Sequence, residues 1–115
     1  MKGIKAARHW ASVDSPAYPA YVQKANGDGK HVTNSSTLAL YGMGLITGKI
    51  LQNAGASPTA ASVGPAVESI VNYDDGIWHL SFGKGVRVAD IADWPMECCN
   101  SDSTWHGTGP ARTRF

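Results

Sequence analysis

Four histidines, a series of aspartates and one adjacent pair of cysteines carry most of the reactive side chains in this chain of 115 residues. A catalytic base drawn from His9, His31, His79 or His106 needs an orienting acid such as Asp74, Asp75, Asp90 or Asp93 within about 3 Å. No spacing in the sequence enforces such a meeting. The densest group is YDDGIWHLSFGKGVRV, residues 73–88. If Asp75-Gly76 is the two-residue turn of a hairpin, His79 lies between Asn72 and Ala89. Asp74 is then only its diagonal neighbour, about 7–8 Å away and beyond hydrogen-bond reach. The charged residues read as turn and strand-face positions, and no catalytic residue is expected.

Cys98, Cys99 and His106, with His79 or Asp93, offer donor types for a metal. Paired zinc-binding cysteines are usually separated by two to four residues, because adjacent side chains project apart. Neither a metal nor another cofactor is expected, and reduced thiols are the simpler reading. YGMGLITGK, from Tyr41 to Lys49, invites comparison with a phosphate loop, yet it fits neither G-x-x-x-x-G-K-[ST] nor G-x-G-x-x-G. Trp78 and Phe82 near Lys84 and Arg87 suggest a stacking platform for single-stranded nucleic acid. Both aromatics belong to the most apolar face of the strands, which favours the core.

The elements that must position these groups read mainly as strands. Residues 1–19 form an N-terminal arm interrupted by Pro16 and Pro19, residues 20–97 a β domain, and residues 98–115 a C-terminal arm. Ala20–Ala25 and Lys30–Asn34 flank Asn26-Gly27-Asp28-Gly29 as a hairpin. Ser36–Gln52 is long enough for a helix, but Gly42, Gly44 and Gly48 each cost about 1 kcal/mol there, so strand is favoured. Asn53–Pro65 reads as a loop. Val67–Val88 reads as a meander, with Tyr73 opposite Trp78, Val71 opposite Leu80 and Ser69 opposite Phe82. After a loop at Gly83-Lys84-Gly85, Phe82 faces Val86 and Leu80 faces Val88. The expected fold is all-β and mainly antiparallel, a small sandwich or barrel with extended arms.

The net charge is +1, which gives no electrostatic footprint for nucleic acid or an anionic membrane. Charged residues make up 17% of the chain, against roughly 25% in typical soluble domains. Low charge suits a surface covered by neighbours. No apolar run follows the basic N-terminus, so no secretory signal or membrane span is read and synthesis in the cytoplasm is expected. The Asn34-Ser35-Ser36 sequon therefore carries no weight.

Large aromatics and arginines in the two arms are candidate anchors for a partner: Trp10, Tyr18, Trp105, Arg112, Arg114 and Phe115. The favoured function is a non-enzymatic assembly protein, self-associating or bound to a larger shell through edge strands and arms. In general layout alone, with no shared motif, the chain resembles small capsid-decoration proteins of bacteriophages. That likeness implies incorporation into a virion. A small nucleic-acid- or ligand-binding β-barrel is the alternative, and a small enzyme using His79 the third.

Overall fold

Nine elements follow one another along the described residues, 3–25, 34–99, 104–113 and 115 of the computed structural model. They are β1 (Ile4–Arg8), α1 (Tyr18–Ala25), α2 (Ser35–Ala54), α3 (Ala60–Glu68), β2 (Tyr73–Asp74), β3 (His79–Gly83), β4 (Val86–Ile91), β5 (Trp94–Cys98) and β6 (Trp105–Gly107). The protein is thus mixed α/β, with three helices and two antiparallel three-stranded sheets, and among the described residues no barrel closes. The all-β expectation is corrected by the helices, whose start signals outweigh their glycines.

Asn34 starts α2. Its side chain accepts the Thr37 N–H while Thr37 Oγ1 accepts the Asn34 N–H, a reciprocal capping box. Of the glycines that argued for strand, Gly42 is buried where Trp78 approaches the helix, and Gly44 and Gly48 face open space. The same device starts α3: Thr59 and Ser62 exchange side-chain and backbone bonds, so the expected loop over Asn53–Pro65 contains a helix start. Ala20–Ala25, expected as a strand, belongs to α1, with Pro19 in the first turn, where its missing N–H costs nothing. The turn expected at Asn26–Gly29 lies outside the described residues.

One sheet has the order β2-β3-β4. Tyr73 pairs with Leu80 and Asp74 with His79, two residues away from the expected register. Asp75 sets this longer loop, its Oδ1 accepting the N–H groups of Ile77 and Trp78, while Asp74 accepts from Gly76. Both aspartates therefore serve as turn residues. The β3–β4 pairing departs further: Leu80 faces Ile91 and Ser81 faces Asp90, with an irregularity before Gly83–Val86. The shift turns the expected inward face of β4 outward, so Val88 is 81% exposed while Ile91 packs against the core.

The other sheet has the order β1-β5-β6. The terminal segments expected as arms supply its two outer strands: Ile4–Arg8 pairs with Trp94–Cys98, and Trp105 pairs with Cys98. The core has two centres. Tyr21, Leu38 and Ile77 form one; Ile46, Ile70 and Leu80 form the other, with Trp78 packed against both. The inner side of α2 supplies Leu38 to the first and Ile46 to the second.

Candidate functional site

Each described histidine faces an aspartate. His9 Nδ1 lies 3.3 Å from Asp93 Oδ1 on an exposed surface. His79 hydrogen-bonds Asn72 Oδ1 through Nε2 at 2.8 Å and lies 3.8 Å from Asp74 Oδ2. Direct pairing of Asp74 with His79 replaces the diagonal relation expected from sequence. At 3.8 Å the pair is coulombic, beyond hydrogen-bond distance. His31 lies outside the described residues.

The third pair is the most highly organised. His106 Nδ1 is 2.9 and 3.1 Å from the two Asp14 oxygens, and Asp14 Oδ2 also accepts from Ser12 Oγ at 2.8 Å and Gly107 N–H at 2.8 Å. Burial alone would raise the Asp14 carboxyl, but the bonds from His106, Gly107 and Ser12 outweigh it and hold the group below the ordinary aspartate value. Ser12, Asp14, Ser15, Trp94, Met96 and Gly107 help to line a cavity of about 150 Å³. The Ser12 hydroxyl gives its proton to Asp14 and not to an imidazole, so the trio lacks a nucleophile–base contact. It works as a clasp between the segment after β1 and β6. The partners stand 92 residues apart in sequence, so no local signal could have found them.

Cys98 and Cys99 are joined as a vicinal disulfide, correcting the expectation of reduced thiols. Cys99 follows the last residue of β5 and has φ 89°, a left-handed turn that brings the adjacent side chains together. Among the described residues, no three of His, Cys, Asp and Glu gather around a possible metal position. YGMGLITGK lies inside α2, so its glycines form no phosphate-cradling loop. Trp78 and Phe82 pack against the core.

The proposed partner anchors are dispersed. Trp10 is half-buried against Tyr21, Leu38 and Ile77, with its ring 5.9 Å from that of Trp78. Tyr18 opens α1 and its ring lies 5.9 Å from that of Tyr21. Trp105 is half-buried in β6, and exposed Arg112 exchanges two backbone bonds with Asp93. Phe115 is 39% exposed and meets His79 edge-on at 5.3 Å. Arg114 lies outside the described residues.

A surface that sequence reading missed runs along the outside of α2. Leu40 is 72% exposed, Met43 45% and Leu51 47%. With Gly44, Thr47 and Gly48 they occupy steps i, i+3, i+4, i+7, i+8 and i+11, the pattern of a core-facing stripe. An added Cβ at Gly44 or Gly48 meets nothing within 4 Å. The helix thus has an apolar inner side on the core and an apolar outer side in solvent. Its only charged residue is Lys49. No described helix is long and apolar enough to cross a membrane. The exposed valines of β4, Val86 and Val88, form a smaller apolar patch at a sheet edge.

No protein-family model, curated protein or solved structure shows significant similarity to this chain.

Proposed function

We propose that this protein is a non-enzymatic assembly component whose outer α2 face docks against the same face of a second copy. The observation that carries the reading is the uncharged stripe Leu40-Met43-Gly44-Thr47-Gly48-Leu51 on the solvent side of a helix already packed on its other side. Fully burying a large apolar side chain is worth about 1.5–3 kcal/mol, and these are partly covered already. Six of them across a two-fold interface are comparable with an association cost of about 4–15 kcal/mol, so close backbone approach must add contact energy. Gly44 and Gly48 leave the notches for that approach. A second copy fits because an apolar stripe meeting itself opposes no like charges. A charged partner would find nothing to pair with.

In its narrower form the proposal makes the protein a small virion accessory component that meets a larger shell through Trp105, Arg112 and Phe115. A small binding module is the second reading, favoured by the cavity beside Asp14.

Sedimentation velocity over a concentration series tests the self-docking. The wild type is expected to dimerise, while Leu40→Glu and Gly44→Leu remain monomeric with an unchanged far-UV circular dichroism spectrum. A wild type that stays monomeric, or a Leu40→Glu protein that associates as strongly, overturns the proposal.

A further inference from the structure

Among the described residues, four buried side-chain polar atoms have no hydrogen-bond partner: Arg8 Nε, Arg8 Nη2, Trp10 Nε1 and Trp94 Nε1. All four are donors, and they sit on three neighbouring residues. Arg8 and Trp94 are direct cross-strand partners of β1 and β5, which places their side chains on one face of the sheet. The Arg8 guanidinium carbon lies 5.1 Å from the centroid of the Trp10 ring. Buried donors normally find acceptors, so a cluster made of donors alone points to an acceptor supplied from outside.

The geometry at Arg8 narrows the kind of acceptor. Its Nη1 donates to Ser35 Oγ at 3.0 Å, and the guanidinium lies over the face of the Trp10 ring. These contacts orient the group while leaving the Nε–Nη2 edge unpaired. That edge presents two parallel N–H groups, the fork that binds two oxygens of one phosphate or carboxylate. Electrostatics runs the same way. No described carboxylate pairs with Arg8, burial lowers its proton affinity, and its one partner stands at the positive end of the α2 dipole. Asp14, which shares the cavity wall with Trp94, is already engaged by His106, Ser12 and Gly107.

We infer that Arg8, Trp10 and Trp94 form an oxyanion-binding site, with the Nε–Nη2 edge of Arg8 gripping two oxygens and the indole N–H groups flanking them. Arg8 is only half-buried, so its side chain can swing outward to admit the anion and close over it. The site lies apart from the outer face of α2 and does not depend on the self-docking reading.

Inorganic phosphate and sodium acetate, each titrated against sodium chloride at constant ionic strength, test the site through thermal denaturation and tryptophan fluorescence. Phosphate is expected to raise the wild-type Tm in step with the logarithm of its concentration, by about 5 °C at ten times its Kd, and to change the indole emission saturably. Acetate acting alone assigns the site to carboxylate ligands; phosphate acting alone assigns it to phosphate groups. Arg8→Lys keeps the charge but loses the fork and is expected to lose the response, as is Trp94→Phe in part. Leu40→Glu should retain it. No saturable response of the wild type to either anion, or an undiminished response of Arg8→Lys, overturns the inference.

Discussion

The Trp78 indole lies so close over Gly42 that a Cβ on residue 42 would stand 2.5 Å from Cδ1 of the ring, while the indole N–H donates to Ala39 O at 3.0 Å. Trp78 thereby fastens the 73–83 hairpin to the inner side of α2 and joins the two core centres.

Gly42→Ala is therefore expected to destabilise the protein. The substitution gains about 1 kcal/mol of helix propensity but meets the Trp78 ring, and overpacking of this kind costs about 1–3 kcal/mol. Gly48→Ala meets nothing and keeps the propensity gain. Thermal denaturation at concentrations where the chain is monomeric should move the two variants' midpoints in opposite directions. A shift to higher Tm in both would contradict the packing described.

Removing the capping side chain that starts α2 provides an independent test. Asn34→Ala takes away the acceptor of the Thr37 N–H and should cost about 1 kcal/mol, read as a lower denaturant midpoint with an unchanged slope. Asn34→Asp, which preserves the acceptor, should remain near wild type.

Acid stability should depend on Asp14. Its folded carboxyl lies below its unfolded value, so its contribution is fully present above the ordinary aspartate pKa near 3.9 and is lost as pH falls through the folded value. Asp14→Asn is expected to flatten the acid limb of the stability profile and loosen β6, seen as faster amide exchange at Gly107. An acid limb identical to wild type would exclude the clasp.

Tyr73 governs the opposite limb. Burial and then the bond from its hydroxyl to Asp75 at 2.9 Å push its ionisation well above the ordinary tyrosine range. A raised folded pKa gives stability that is complete below the unfolded value near 10 and is lost as pH climbs towards the folded one. Tyr73→Phe should remove this alkaline dependence, and in the wild type the Tyr73 phenol should ionise only together with unfolding, followed by ultraviolet absorbance.

What the sequence revealed was local. Asp74 and Asp75 were legible as turn residues because their side chains bond to neighbouring backbone. The position of Leu80 in the core was also legible, and the two-residue register shift of β2 against β3 preserves the alternation that put it there. The β3–β4 irregularity has no comparable signal and turned Val88 outward. For Ser36–Gln52, counting each glycine as a helix penalty favours strand, whereas Gly42 answers to Trp78 and the Asn34–Thr37 cap uses threonine in place of the usual Glu or Gln. The Asp14–His106 clasp and the Arg8–Trp94 pairing depend on strands from opposite ends of the chain, which no spacing rule can bring together.

The strand β5 has a neighbour from each terminus, with Ile4 opposite Cys98 and Trp105 opposite the same cysteine. Residues 94–98 must therefore be made before β1 has anything to zip onto. The capped helices and the 73–91 meander rely on nearer partners and can condense first. Closure of this sheet is thus expected to come late, with β1 and β6 folding onto the two sides of β5, and losing either strand exposes a raw edge on β5.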